Sequence, residues 1–161
     1  MKIAQAWASV ALILSSTPAI SAEQMVPAFA GKWSLDLSSM PIPPEARPAS
    51  VTVAFQPEGL EGLRTTFVIT AKDGSERRMV SHEKLDGVAV PIEGDQLEAD
   101  SAALLNPAPN VLVIGLSKNG RPGSVRIYTV SSDGTSLTES AANVGDDGKP
   151  FIRRFRWFKA D

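Results

Sequence analysis

Phe29-Ala30-Gly31-Lys32-Trp33-Ser34-Leu35-Asp36 is where a regular pattern begins in this chain. Trp33, Leu35 and Leu37 fall on every second position, so an extended strand over Trp33–Leu37 has one apolar face. A stiff loop follows. Residues 38–49 carry Pro41, Pro43, Pro44 and Pro48, and proline neither continues a helix nor donates to a sheet ladder.

Beyond the loop the two-residue period keeps returning. Val51, Val53 and Phe55 alternate in residues 50–55, and Leu63, Thr65, Phe67 and Ile69 alternate in residues 63–71. Asp73-Gly74 reads as a hairpin turn, and residues 76–85 return from it. Val88–Ile92 is short and holds Pro91, so an edge strand is expected. Residues 96–105 are open between a helical turn and a strand, with strand favoured by the flanking segments. Asn106-Pro107-Ala108-Pro109 reads as a loop. Val111–Leu116 is apolar on both faces, which suggests a covered strand or a homodimer contact through residues 111–116. Asn119-Gly120, Asp133-Gly134 and Asp147-Gly148 separate three further strands over 124–130, 136–141 and 151–159. Turns at this spacing predict about 8–10 antiparallel strands, joined neighbour to neighbour and closed into an up-and-down barrel.

Upstream, Lys2 is followed by a mostly apolar run from Ala4 to Leu14, then Ser15-Ser16-Thr17-Pro18 and Ala19-Ile20-Ser21-Ala22. Those are the three parts of a secretory signal, with cleavage expected after Ala22. The run is short of the ~20 apolar residues that span a bilayer. The expected mature chain, residues 23–161, is one domain in the periplasm or secreted, with no membrane span. Loss of Lys2 takes the net charge from −2 to −3, which disfavours nucleic acid as a partner. The chain has no cysteine, so thiol catalysis and cysteine metal sites are excluded.

Little points to catalysis. His82 is the one histidine, on a strand face with Glu76, Arg78, Val80 and Lys84, which reads as solvated. No nucleophile elbow and no metal-ligand spacing accompany it. No catalytic residue, metal or cofactor is expected, and an enzyme is the third-ranked reading. In residues 151–158 alternation turns Phe151, Phe155 and Trp157 inward and Arg154 and Arg156 outward. Arg153 then also faces inward, which requires either a wet cavity or a bulge.

The motif Phe29-x-Gly31-x-Trp33-x-Leu35 resembles the first strand of the calycins, the lipocalin and fatty-acid-binding superfamily. The resemblance implies that Trp33 packs under the barrel, with Arg154 or Arg156 of the last strand over the indole. The turn order is similar to that of a group of small exported bacterial lipocalin-like proteins. It is carried by Asp86-Gly87-Val88-Ala89-Val90-Pro91, Val130-Ser131-Ser132-Asp133-Gly134-Thr135-Ser136-Leu137-Thr138 and Gly148-Lys149-Pro150. That likeness implies the fold and no assigned activity. Arg126-Ile127-Tyr128 resembles the Arg-x-Tyr pair with which fatty-acid-binding proteins hold a carboxylate. A two-helix lid is lacking here, however, and alternation favours Val125, Ile127 and Thr129 inward with Arg126 and Tyr128 in solvent.

The resulting expectation is a lipocalin-like barrel that binds a small apolar or amphipathic ligand. Trp33, Leu35, Val53, Phe55, Phe67, Ile69, Ile127, Phe155 and Trp157 are the inward candidates. The ligand-binding candidates are Trp33, Phe55, Phe67, Arg126, Tyr128, Arg153, Phe155 and Trp157. The alternative is a packed barrel acting as an interaction or structural module.

Overall fold

The computed structural model describes residues 28–59 and 62–160. The expected signal segment, residues 1–22, lies outside them. Eleven strands form one antiparallel sheet: β1 (Gly31–Leu35), β2 (Ser50–Glu58), β3 (Gly62–Thr70), β4 (Glu76–Lys84), β5 (Val90–Pro91), β6 (Glu93–Gly94), β7 (Ser101–Ala108), β8 (Val111–Lys118), β9 (Arg121–Val130), β10 (Ser136–Val144) and β11 (Pro150–Ala160). Nine have five residues or more, and β5 and β6 have two each. The order is β5-β7-β8-β9-β10-β11-β1-β2-β3-β4-β6. Sequence neighbours pair from β1 to β4 and from β7 to β11, β1 joins β11, and the two edges are the consecutive short strands β5, paired with β7, and β6, paired with β4. An Asp86–Leu105 bridge adds a direct link between the end of β4 and β7. The sheet thus curls into a nearly closed barrel, which leaves little unpaired edge.

The base of the barrel is solid. Phe29, Trp33, Phe55 and Leu63 are fully buried, and Phe29 meets Phe55 edge to face. The Trp33 indole donates to the Phe29 carbonyl at 2.9 Å. The cation over its ring is Lys159, 5.0 Å from the ring centre, and not Arg154 or Arg156 as the resemblance implied. Lys159 is the strand partner of Trp33 and shares its face, whereas Arg154 and Arg156 are one residue out of phase. Gly31 makes room for it. Its φ is +116°, and a Cβ there would meet the Lys159 chain at 3.2 Å, while the ammonium donates to Ala30.

Two boundaries differ from the expectation. β1 stops at Leu35, because the Asp36 carboxylate accepts from Ser38 N and starts a short 3₁₀ turn, Leu37–Ser39. Residues 106–108 belong to β7 and are not loop. Asn106 is buried and donates to both Ala108 and Val111, which carries the strand through a bulge. The ambiguous residues 96–105 divide into an irregular segment and the start of β7 at Ser101. Ile92 and Ala99 of the connecting segment plug the gap between β4 and β7, and Asp95 fixes it to Arg77 through two hydrogen bonds of 2.8 and 2.9 Å.

Candidate functional site

The site starts from the register of β9. Tyr128 pairs with Leu112 and Glu139, and Arg126 pairs with Ile114 and Ala141. Those neighbours face the lumen, so Arg126 and Tyr128 do too. Val125 and Ile127 stand 44% and 41% exposed on the outside, and Thr129 is exposed with them, which overturns the alternation reading. Arg126 is tolerated inside because carboxylates come to it. Glu139 of β10 lies 3.8 Å from its Nε, and Glu98 of the connecting segment accepts from its Nη2 at 2.9 Å. Glu139 is itself buried and takes the Trp157 indole hydrogen at 3.0 Å. Burial works against the Arg126 charge, but the Glu139 and Glu98 carboxylates outweigh it and, with the Tyr128 hydroxyl beside them, hold the guanidinium above its ordinary range. Burial pushes the Glu139 carboxyl up, against the pull of Arg126 and its hydrogen bonds.

The lumen above the aromatic base is not filled. Phe67 is only partly buried, and its ring meets Trp157 edge to face and Arg126 face on at 5.9 Å. Phe67, Arg126 and Glu98 together form a partition across the lumen. Below it an inner cavity of about 60 Å³ is walled by Val53, Met79, Ile92, Ile114, Leu116 and Tyr128. Above it a wider space of about 200 Å³ opens at the mouth between Leu35, Met40, Ile69, Asn143, Arg153 and Phe155. Met40 brings the proline-rich loop to that mouth.

A second carboxylate faces the inner cavity from β4. Glu83 is only 2% exposed, and its oxygens accept from Ser81 at 2.5 Å and Thr65 at 3.1 Å. Among the described residues no Lys, Arg or His forms an ion pair with it. Burial therefore pushes its carboxyl up, opposed mainly by the Ser81 and Thr65 hydroxyls.

The other candidates scatter. Trp33 and Phe55 belong to the packed base, away from both spaces. Phe155 and Trp157 line the outer space. Arg153 does face the mouth, and the pairing of β10 with β11 runs without a bulge. It is exposed, however, and lies 4.9 Å over Phe151, which at 37% exposure is no core residue. His82 sits on the outer surface with Nδ1 2.7 Å from Glu58. Among the described residues no three His, Asp or Glu side chains gather as a metal site, and no helix is long and apolar enough to cross a membrane.

No family model matches the sequence, and no curated protein matches it. Solved structures do match. The wild-type fluorescent protein UnaG superposes with a TM-score of 0.56 at 14% identity, over 84% of this chain and 100% of that one. Zebrafish ileal bile acid-binding protein, complexed with cholic acid, superposes with a TM-score of 0.52 at 15% identity, over 83% of this chain and 99% of that one. This chain folds as a calycin-type barrel.

Two groups central to the lumen of this calycin-type barrel, Glu139 and Glu83, were not singled out from sequence as ligand candidates. Each had a signal. Glu139 lies between Leu137 and Ala141, so an acid shares the phase of two buried apolar residues. Glu83 is opposite in phase to the solvated face of His82 and in phase with Met79, Ser81 and Leu85.

Proposed function

We propose that the protein is exported and carries a small apolar or amphipathic ligand in its lumen. The observation that carries this is the unfilled lumen: two spaces, about 60 and 200 Å³, meet at a partition of three side chains above a solid base. A barrel built only for packing would fill that interior with side chains. The fold supports the reading, because the cholic acid complex of the bile acid-binding protein is a barrel of the same type. An ordinary carboxylate clamp is not free here, since Arg126 is already held by Glu98 and Glu139. Export rests on residues 1–22 alone and predicts a mature chain beginning at Glu23. The test is native mass spectrometry of protein purified from periplasm. An excess mass lost on denaturation is expected. A bare chain that also takes up no six-carbon alcohol would overturn the carrier.

A second reading has its own observation. The outer face of β7, β8 and β9 presents Leu105, Val125 and Ile127 at 41–45% exposure, beside half-buried Val113. Such a patch fits a homodimer contact. It is the outward side of the residues 111–116 strand, whose Leu112 and Ile114 face in. Sedimentation velocity decides: a concentration-independent monomer removes the dimer.

A further inference from the structure

We propose that the inner cavity receives an amine, a small apolar molecule whose protonated nitrogen binds Glu83 and whose tail points through the partition toward the mouth. This rests on the carrier reading and assigns a ligand class to the same lumen.

The argument begins with charge. The ionisable groups that line the inner cavity are Glu83, Glu98, Arg126 and Tyr128, whose phenol burial keeps in its neutral form, with Glu139 directly behind Arg126. Three carboxylates thus share this part of the lumen with one guanidinium. Arg126 is shared by Glu98 and Glu139, which leaves Glu83 with two neutral hydroxyls and, among the described residues, no ion-pair partner. A buried carboxylate in that position stays protonated or acquires a positive partner. Burial already biases it toward the proton, and an ammonium is the partner that removes the same penalty while adding charged hydrogen bonds. Each Glu83 oxygen spends one lone pair on Ser81 or Thr65 and retains another, so the site accepts further donors.

The surroundings fit the rest of such a guest. Met79, Ile92, Ile114 and Leu116 give the cavity apolar walls, and the flexible Met79 side chain can yield to a tail. At about 60 Å³ the inner cavity takes a head and its first carbons, and the remaining chain passes Phe67 into the outer space. An incoming carboxylate meets the opposite field: it faces Glu83 and must displace Glu98 from Arg126.

The test is isothermal titration of the mature protein with three probes of one chain length, n-hexylamine, n-hexanol and hexanoate, at neutral pH. Hexylamine is expected to bind about tenfold more tightly than hexanol, and hexanoate most weakly. In Glu83→Gln the hexylamine advantage falls to about twofold or less while hexanol binding stays, since the alcohol does not need the charge. Thr65→Val, which leaves the carboxylate in place, is read alongside should the first variant fail to fold, with a smaller loss confined to hexylamine. If hexanol binds but hexylamine shows no advantage, or Glu83→Gln and Thr65→Val leave it intact, the amine site is wrong and the carrier stands. If hexanoate binds most tightly, the charge argument is overturned. If none of the three binds, the carrier reading falls and takes this site with it.

Discussion

Glu139 and Glu83 are two buried carboxylates on inward positions of the same barrel, and they are solved differently. Glu139 has a guanidinium at 3.8 Å and an indole donor at 3.0 Å, and it ties β9, β10 and β11 together. Glu83 has two hydroxyls, one on its own strand and one on β3, and lines the inner cavity. Replacing the first breaks a buried pair and strands a charge; replacing the second removes a carboxyl that pairs with no cation among the described residues. The contrast separates a structural carboxylate from one available to a ligand.

The largest test of that contrast is Glu139→Ala. Among the described residues Arg126 would then keep Glu98 as its one carboxylate partner, and a loss of about 3 kcal/mol is expected from urea unfolding. An unchanged midpoint would mean that Glu139 holds nothing together. Tyr128→Phe comes next, with a loss of about 1–2 kcal/mol on removing the hydroxyl beside Arg126 and Glu139. The same unfolding curves measure it, and a neutral result would place that hydroxyl outside the network.

Glu83→Gln is expected to act in the other direction. The Glu83 carboxyl is pushed up in the folded protein, so its protonated form is the one folding favours. That contribution is complete below the ordinary carboxyl value and is lost as pH rises through the raised folded value. The variant should therefore match wild type near pH 4 and exceed it by about 1 kcal/mol at pH 8. Melting temperatures across that range check the sign, and a variant that is weaker at pH 8 would show that Glu83 is satisfied as it stands. Glu98→Ala is the smallest. Glu98 is 54% exposed and its pair with Arg126 is screened by solvent, so a loss below about 1 kcal/mol is expected, shrinking at high salt. A loss as large as that of Glu139→Ala would make the partition, rather than the inner network, the main support of Arg126.

The fold was legible because its strands have one wet and one dry face. Val51, Val53 and Phe55 on β2 alternate cleanly with polar or small residues, and the turns at Asp73-Gly74 and Asn119-Gly120 punctuate the pattern. The site was less legible because polar groups occupy the dry face just where the lumen is open. On β9 both phases mix apolar and polar residues, Val125 and Ile127 against Tyr128 and Val130. Local alternation therefore selects the wrong face, and the correct one puts Arg126 where Glu139 and Glu98 can reach it. The same blindness explains Lys159. Three arginines drew attention in residues 153–156, while the residue in phase with Trp33 stood near the chain end.

The amino-acid sequence by itself determined an antiparallel up-and-down barrel entered through the Gly31-x-Trp33 strand, because period-two apolar patterning and hairpin turns are local properties of the chain. Tertiary structure alone decided which face of β9 is inside, which cation covers Trp33, and how the lumen divides. Those depend on strand register and on charges that meet across the barrel, from residues 98, 126 and 139, and a charge buried by partners so distant in sequence leaves no local trace.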